Sequence, residues 1–599
     1  MPDYLPIADH GVIGDLHSVA LVGTNGTIDW YCTPHFDSPS VFGAILDSQK
    51  GGRYQIAPVE DCTTKQLYFP DTNVLITRFL SSAGVGEVQD FMPVRTKGSA
   101  GRQRLIRRVT CVRGAMRFRI DCEPRFNYGR DAHEVEITRG GARFTSPQLS
   151  LVLGSPVELS ATAGGATGEF ELKQGETATF SLHEPIGAET PRPLADAEAH
   201  SLLDATVQHW LDWVSQSRYT GRWREMVNRS ALALKLLTYE PTGAIVAAAT
   251  TSLPEQLGGE RNWDYRFAWL RDSAFTLYAL LRLGFTSEAE AFGGFLRLCM
   301  ESSSSNGSGP LRLMYGIDGR ADLPEETLDH LEGYEGSAPV RIGNDAAGQL
   351  QLDIYGEVLD AAYLAERYGK KRISYEAWTV LVQSTEWLCE NWDQPDDGIW
   401  ETRGGRRHFT HSRLMSWVAL DRAVRIARDR SLPADIVRWM AVRDQIFHRL
   451  MTKSWNESKG AFVQHEDTDV LDAAVLLMPL VHFIAPDDPR WLSTLDAIGA
   501  ELVSDSLVYR YDPVASPDGL NGEEGTFSIC SFWYVEALAR AGRTQEARLA
   551  FEKMLTYSNH VGLYSEEIGP TGEALGNFPQ AFTHLALISA AVNLDRKLG

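Results

Sequence analysis

Apolar residues recur with a helical period from about residue 223 to the C-terminus. One stripe within the segment 543–558 consists of Ala547, Ala550, Phe551, Met554 and Leu555. Charged residues occupy the opposite side of that segment, which predicts an amphipathic helix packed on a core by one face. The segment 581–594 is instead apolar nearly all round, which predicts a helix buried on every side.

The predicted helices of this region are 223–239, 271–284, 286–303, 344–369, 374–391, 411–428, 433–454, 468–482, 489–503, 527–541, 543–558 and 577–596. Long connections precede every second helix and span 240–270, 304–343, 392–410, 455–467, 504–526 and 559–576. Antiparallel neighbouring helices need only short loops, so long connections in strict alternation must lie at one end of a closed ring. The pattern predicts an (α/α)6 barrel with one loop-rich face, and loops on a rigid scaffold often carry function.

The first part of the chain, to about residue 190, has a different pattern of short β-rich runs separated by turns. Asn25-Gly26 separates two apolar runs, and Gly140-Gly141 separates another two. Such dipeptides favour tight hairpins because both turn positions need positive φ. Further strands are predicted at 105–112, 117–122, 149–153, 169–172 and 177–182. Many short strands with regular turns predict an antiparallel β-sandwich.

A linker separates the two patterns. The run Thr190-Pro191-Arg192-Pro193 ends the β pattern, and residues 195–217 then read as a helix. The predicted organisation is therefore a β-sandwich domain over 1–190, a helical linker over 191–222 and an (α/α)6-barrel domain over 223–599.

Charge and composition exclude several functional classes. The chain carries 57 basic and 79 acidic residues and a net charge of −22, which disfavours nucleic acid and anionic membranes as partners. No apolar run approaches the roughly 20 residues of a membrane helix. Residues 1–23 lack the features of a secretion signal, and the seven cysteines form no CxxC pair. A reduced, cytoplasmic location and a small neutral substrate are expected.

The long connections hold unusual clusters of acidic, basic and aromatic residues. Each acidic residue alone is more simply a solvated surface carboxylate, but convergence on one rim favours a sugar site. Flat aromatic faces stack on pyranose rings while arginine and aspartate bond hydroxyl groups, within an apolar pocket. The clusters are 261–272, 333–344, 396–403, 408–411, 464–465, 509–512, 521–526 and 563–568.

Competing chemistries lack their motifs. The sequence has no HExxH, no GxxxxGK[ST] and no GxSxG. His408 and His411 have no acidic third ligand nearby, and Glu466 and Asp467 beside His465 form no better set. Neither a metal nor another cofactor is predicted.

Several motifs together resemble bacterial glycoside hydrolase family 15, over about residues 5–595. They are Asp29-Trp30, 36–42, 262–266, 269–272, 339–344, 398–401 and 564–567. That family comprises glucoamylases, glucodextranases, trehalases and isomaltose glucohydrolase. The resemblance implies a β-sandwich, a helical linker and an (α/α)6 barrel, and inversion at an α-glucosidic carbon with release of β-glucose.

The resemblance also implies residue roles. Glu401, directly after Trp400, matches the family's general acid, and Glu566 matches its general base. Glu567 is the alternative base. Inverting enzymes leave about 6.5–9.5 Å between the two carboxyl groups for a water molecule. The residues expected to hold the sugar are Trp269, Arg271, Asp272, Tyr334, Trp400, Arg510 and Tyr511.

Glu335 departs from the family pattern and bears on the substrate. Trehalases of the family tend to carry a basic residue after Gly-Tyr in this loop, whereas here a carboxylate follows Tyr334. Glu335 is either a rim residue, a contact of the second sugar or a second base assisting Glu566. The preferred substrate is then isomaltose or a short α-1,6-gluco-oligosaccharide. The alternatives are trehalose, an α-1,4-oligosaccharide, a disaccharide phosphorylase reaction, and sugar binding without catalysis.

Overall fold

A computed structural model describes residues 4–95, 102–304, 310–370, 372–520, 522 and 524–599. Asn521 and Glu523, which belong to one predicted loop cluster, lie outside the described residues. The described chain has β structure before residue 190 and mainly helical structure after it.

The amino-terminal region is one antiparallel sheet. Its strands are β1 His10–Gly14, β2 Val19–Gly23, β3 Thr27–Cys32, β4 Ser40–Phe42, β5 Arg53–Pro58, β6 Thr63–Tyr68, β7 Leu75–Leu80, β8 Gly84–Phe91, β9 Leu105–Glu123, β10 Glu134–Thr138, β11 Gly141–Thr145, β12 Ser150–Gly154, β13 Ser160–Thr162, β14 Gly165–Lys173 and β15 Thr177–His183. The central path runs β1-β2-β3-β5-β9-β15-β12-β11-β10. Both predicted hairpins, β2–β3 and β10–β11, are confirmed.

The long strand β9 joins the two halves of the sheet. Its first half pairs with β8 and β15, and its second half pairs with β5 and β14. The prediction of two separate strands here was wrong. Gly114 has φ of 71°, and the register with β8 shifts between Val85 and Gly86, so a bulge interrupts the pairing without ending the strand.

The described helices are α1 Asp196–Val214, α2 Arg224–Leu236, α3 Ser273–Leu283, α4 Thr286–Ser304, α5 Asp353–Tyr368, α6 Tyr375–Asn391, α7 Thr410–Arg430, α8 Ile436–Lys453, α9 Pro489–Glu501, α10 Ser528–Arg540, α11 Thr544–Leu555 and α12 Ala581–Leu598. Short 3₁₀ helices are Ile7–Asp9, Leu270–Asp272, Tyr334–Gly336, Asp345–Gly348 and Ala473–Leu477. Two-residue strands lie in the connections: Thr238–Tyr239, Ala244–Ile245, Ala268–Trp269, Met314–Tyr315, Glu326–Thr327, Arg341–Ile342, Trp455–Asn456, Ala461–Phe462, Val503–Ser504, Leu507–Val508, Thr526–Phe527, Glu567–Ile568 and Ala574–Leu575.

Two helix predictions need correction. The predicted α-helix 468–482 contains only the 3₁₀ helix Ala473–Leu477. The Asp472 side chain accepts the amide of Ala474, and Pro479 disfavours helical geometry in the residue before it. The predicted helix 344–369 begins nine residues later, at Asp353, because Asn344 instead caps the short turn Asp345–Gly348.

Long and short connections alternate except around the predicted helix 468–482, where 35 residues separate α8 from α9 and 26 residues separate α9 from α10. Only two residues separate α3 from α4, whereas α11 and α12 are 25 residues apart. Helix α11 buries Ala547, Ala550, Phe551 and Met554 alone, as the apolar stripe predicts, and α12 is buried almost throughout. The helical region therefore has inner and outer helices.

The sheet and the helices share one continuous apolar core. The Trp30 indole donates a hydrogen bond to the Ala249 carbonyl at 2.8 Å, and Arg266 donates to the Ser38 carbonyl at 2.9 Å. Asn559 donates to the carbonyls of Ala8 and His10. The sheet thus braces two of the long connections. Within the described residues, every helix is too short or too polar to cross a lipid bilayer.

Candidate active site

One cavity of about 60 Å³ is lined mainly by segments that precede helices α3, α5, α7, α10 and α12. The connections before α3, α5, α7 and α10, and the first turn of α12, supply most of its wall. The lining residues are Ala247, Glu255, Arg261, Trp263, Tyr265, Trp269, Arg271, Asp272, Asn344, Ala346, Ile399, Trp400, Glu401, Arg403, Arg510, Leu520, Phe527, Gln580 and Phe582. Trp269, Arg271, Asp272, Trp400, Glu401 and Arg510 are thereby brought together as predicted.

Glu401 stands at the tip of a tight turn. Gly398, with φ of 72°, accepts the Glu401 amide, and Glu401 itself has φ of 55°. The Trp269 indole donates to Glu401 Oε1 at 2.9 Å and Arg271 donates to the same oxygen at 3.0 Å. The side chain remains 20% exposed, so it can reach a ligand while two donors hold it.

Arg271 links the turn of Glu401 to the start of α3. Its guanidinium donates to the Ile399 carbonyl at 2.5 Å and lies 3.7 Å from Asp272 Oδ1. Burial raises the pKa of Asp272 to about 7, against the lowering effect of Arg271. Asp272 can therefore present either a carboxyl or a carboxylate group to a sugar hydroxyl near neutral pH.

Glu566 is 1% exposed and lies behind the cavity wall rather than in it. Tyr265, which lines the cavity, hydrogen-bonds to its carboxylate, and the Asn577 amide donates to Oε2 at 3.4 Å. Burial first, then the Glu255 charge, raise the pKa of Glu566 to about 8. Oε1 has no hydrogen-bond partner in the described protein, so it is the free acceptor of this group.

Glu567 faces another part of the site. Its Oε2 accepts the Gly525 amide at 2.8 Å, and its Oε1 lies 3.8 Å from Arg510. Glu567 begins a short strand, in which successive side chains point to opposite faces. The two oxygens of Glu567 thus lie near the Gly525 amide and Arg510, whereas Glu566 Oε1 has neither a hydrogen-bond nor an ion-pair partner within the described residues. Glu566 is therefore the better candidate for the base.

Arg510 is surrounded by three buried carboxylates. It donates to Glu255 at 3.1 Å and makes a two-pronged ion pair with Glu524, beside Glu567. One oxygen from each acid lies within 4.8 Å of the others, a spacing that a metal ion could bridge. Burial raises the pKa of Glu255 to about 7 and that of Glu567 well above its ordinary value, and Arg510 supplies one positive charge among the three acids. The arrangement is therefore an ion-pair cluster that holds Arg510 in place.

Trp400 is fixed by the connection between α8 and the 3₁₀ helix Ala473–Leu477. Its indole donates to both oxygens of Asp472, at 2.9 and 3.0 Å, and its ring packs against Phe527 and Trp533. Asp472, rather than Gln464 or His465, is thus the contribution of this connection to the site.

Besides Glu566, three predicted site residues lie outside the set that lines the cavity: Tyr511, Tyr334 and Glu335. Tyr511 is 1% exposed and donates to Asp518, which is paired with Arg261. Tyr334 is buried and donates to the Leu5 carbonyl. Their expected contact with the sugar therefore needs correction: Tyr511 supports Arg261 from behind, and Tyr334 joins the loop to the amino-terminal segment.

Glu335 is exposed and outside the cavity lining, so its expected role as a second base also needs correction. Positive φ at Gly333, Glu335 and Gly336 makes a tight turn, which leaves the Glu335 side chain in solvent.

Tyr265 and Glu255 are among the residues of the site that the sequence analysis did not assign. Tyr265 lies inside the conspicuous Asn262–Arg266 motif, and its aromatic neighbours gave a usable signal. Glu255 follows Leu253-Pro254 without any motif, and only the folded chain places it beside Arg510.

Comparisons with known proteins agree with this architecture. The sequence profile of glycosyl hydrolases family 15 matches residues 221–592, and that of the trehalase-like N-terminal region matches residues 3–175. A trehalase of Mycobacterium tuberculosis is 38% identical over 620 residues, covering 99% of this chain and 90% of the relative. A trehalase of Thermoplasma volcanium is also 38% identical, over 603 residues, covering 99% and 94%.

A solved structure of a bacterial glucoamylase complexed with acarbose has the same fold. Its TM-score is 0.72 at 14% identity, with 99% of this chain and 94% of that chain covered. These matches make the protein a glycoside hydrolase. Within that class, the chain belongs to glycosyl hydrolase family 15.

Proposed function

We propose that this enzyme hydrolyses α,α-trehalose to glucose, with inversion at the attacked carbon. The observation that carries the proposal is the match to trehalases of Mycobacterium tuberculosis and Thermoplasma volcanium along almost the entire chain. A preference for isomaltose has less support, because it depended on Glu335, an exposed residue outside the cavity lining.

The proposal includes the architecture around the site. A β-sandwich domain over 1–190, a linker over 191–222 and an (α/α)6 barrel over 223–599 fit the strand and helix order. The contribution of the segments before α3, α5, α7, α10 and α12 to one cavity supports inner helices running in the same direction.

Glu401 is proposed as the general acid. It would transfer its proton to the oxygen between the two glucose units as the bond from that oxygen to the anomeric carbon breaks. The carboxylate that remains is stabilised by the hydrogen bonds from Trp269 and Arg271, the latter charge-assisted.

Glu566 is proposed as the general base. It would accept a proton from the water whose oxygen attacks the anomeric carbon from the opposite side. The raised pKa of Glu566 makes its ionised form a stronger base than an ordinary carboxylate, and Tyr265 fixes its orientation at the cavity wall. Each turnover consumes one water and gives one β-glucose and one α-glucose.

The test is a panel of trehalose, isomaltose, maltose and panose, with the anomers of released glucose followed by NMR from the first seconds. Trehalose should have the highest kcat/KM, and equal amounts of α- and β-glucose should appear first. Faster hydrolysis of isomaltose would overturn the substrate assignment, and initial release of α-glucose alone would overturn inversion. Formation of glucose 1-phosphate in phosphate buffer would instead identify a phosphorylase.

A further inference from the structure

A second cavity, of about 330 Å³, lies at the other end of the inner helices. It is lined by α3 from its first turn to Arg282, by residues of α5 and α7, by the carboxyl-terminal parts of α10 and α12, and by Leu477 and the residues after it. Asp272 lines the first cavity, whereas Ala274 and Phe275, directly after it on α3, line the second. The two cavities are therefore separate sites with a thin shared wall.

Six arginines line this second cavity, and three of them are neutralised by carboxylates. Arg422 pairs with Asp360 and Asp421 at 2.5 and 2.6 Å. Arg425 also pairs with Asp421, at 2.7 Å. Arg540 pairs with Glu536 at 2.8 Å.

The other three arginines have no carboxylate ion pair within the described residues. The Arg282 guanidinium lies over the rings of Tyr278 and Tyr368, at 5.0 and 5.3 Å, and its buried Nε has no hydrogen-bond partner. Arg367 donates to the Tyr363 hydroxyl at 2.6 Å. The third is Arg596, near the end of α12.

The one fully buried acid of the wall, Glu357, does not cancel this charge. Burial, followed by the charges of Asp360 and Asp353, raises the pKa of Glu357 well above its ordinary value. Even with Glu357 counted as ionised, six arginines face only four carboxylates, those of Asp360, Asp421, Glu536 and Glu357. The cavity thus has a local surplus of positive charge in a chain whose net charge is −22.

Stabilisation of helix ends explains only part of this arrangement. A cation near a helix carboxyl terminus interacts favourably with the helix dipole, and any exposed basic residue there would serve. That role accounts for Arg367 and Arg596, which are exposed in the last turns of α5 and α12, but it does not require both to face the cavity that Arg282 lines. Nor does it account for a buried Arg282 nitrogen without a partner, since buried polar groups are normally hydrogen-bonded.

We propose that this second cavity binds a phosphorylated sugar or a similar phosphorylated polyol. An arginine guanidinium group can donate two parallel hydrogen bonds to the oxygens of one phosphoryl group. The free Oε2 of Glu357 offers a partner for a hydroxyl group beside the arginines, whereas Ser589 and Asn593 already donate to Glu536 at 2.8 and 2.7 Å. The volume lies within the range of small-molecule sites, larger than inorganic phosphate alone requires.

The experiment is isothermal titration calorimetry of the full chain with glucose 6-phosphate, inorganic phosphate and glucose. Glucose 6-phosphate should bind at least tenfold more tightly than either of the other two. The variant Arg282→Gln should weaken this binding at least tenfold, and Arg282→Lys should retain an intermediate affinity because it keeps charge without the fork. Arg548→Gln, at an exposed arginine of α11, is the matched control and should bind like the unmodified protein.

Each other result overturns the proposal. Absence of binding by glucose 6-phosphate would leave the arginines as helix-end stabilisers. Binding that survives Arg282→Gln unchanged would locate the ligand elsewhere, including in the catalytic cavity. Thermal unfolding of each variant, matched to the unmodified protein, separates loss of binding from loss of fold.

Discussion

Glu401 has an unusual backbone for a residue proposed to transfer a proton. Its φ of 55° lies in the left-handed region, which costs a residue with a Cβ roughly 1–2 kcal/mol. The surrounding contacts to Trp269 and Arg271 maintain this geometry. Strained backbone of this kind often occurs where a side chain must be held for function.

The first prediction compares Glu401, which lines the cavity, with Glu335, which does not. Glu401→Gln keeps the shape of the side chain but removes the proton to be donated, so kcat for trehalose should fall by about 10²–10⁴-fold. Glu335→Gln should change kcat less than threefold, because Glu335 is exposed and outside the cavity lining. Steady-state kinetics of both variants check this, and a comparable loss in both would restore Glu335 as a second base.

The second prediction concerns pH. Glu566 must be ionised to accept a proton, and the Glu255 charge helps to raise its pKa to about 8. Glu255→Gln removes that repulsion, so the pKa of Glu566 should fall and the acidic limb of the kcat/KM profile should move to lower pH.

The control for this shift is Glu524→Gln, which removes another partner of Arg510. Its acidic limb should move less than that of Glu255→Gln. Equal movement in both variants would mean that Arg510, rather than direct repulsion by Glu255, governs the base.

Sequence motifs predicted which connections form the site. They predicted less well which side chains of those connections reach the cavity. Trp269, Arg271 and Glu401 meet as predicted. Tyr511 follows Arg510 directly, yet it supports Asp518 from behind the wall. Adjacent residues in a loop share a motif but point in different directions, and backbone φ and long-range hydrogen bonds decide which of them reaches the cavity.

At the level of elements, the connection before α12 positions the proposed base. Gly576, with φ of 72°, follows the short strand Ala574–Leu575. A Cβ added there would lie 2.5 Å from Glu566 Oε2 and 2.7 Å from Glu566 Cβ. The glycine therefore leaves room for the carboxylate as well as permitting the turn.

The third prediction is that Gly576→Ala displaces Glu566 and lowers kcat about 10²-fold, the lower range for loss of a general base. Gly572→Ala is the matched control, because Gly572 also has positive φ, 90°, but its added Cβ would approach only Tyr557 at 3.8 Å. Kinetics and thermal unfolding of both variants separate the two effects. Equal kcat losses would attribute the effect to backbone strain.

Hydrophobic periodicity predicted most helices. It failed at two places where a connection continues into a segment that was predicted to be helical. The stripe of α11 and the all-round burial of α12 followed directly from apolar spacing. The failure at 468–482 has a local cause, since Asp472 is engaged by Trp400 and by the Ala474 amide. A hydrogen bond from a residue 72 positions away cannot be read from local sequence.

At the scale of the whole molecule, a buried ion pair connects the sheet to the helical region. Arg266 is paired with Asp264 at 2.6 Å and donates to the Ser38 carbonyl across the interface. Asp264 also accepts the Gly343 amide at 3.1 Å. Two long connections and the amino-terminal region therefore depend on one carboxylate.

The fourth prediction is that Asp264→Asn destabilises the protein by about 3–5 kcal/mol, because it leaves the Arg266 charge buried and unpaired. Glu301→Gln should cost less than about 1 kcal/mol, because the Arg297–Glu301 pair is 60% and 57% exposed. Urea-induced unfolding measures both. Similar midpoints would contradict the assignment of Asp264 as a structural centre.

The location of the long connections on one face could be predicted from the sequence, because it depends on the lengths of helices and connections rather than on individual contacts. Alternating connections placed the functional residues on one face before any side chain was considered. The second cavity was not accessible in this way, because Arg282, Arg367 and Arg596 lie on three separate helices without a shared motif.

The two hydrogen bonds to Glu401 distinguish its oxygens. Trp269 and Arg271 both donate to Oε1, and neither group can accept a hydrogen bond. The mobile proton must therefore reside on Oε2, which gives the carboxyl group a fixed direction of delivery. A substrate must present its bridging oxygen to that side alone, and an inhibitor with a basic nitrogen in place of this oxygen should bind through Oε2.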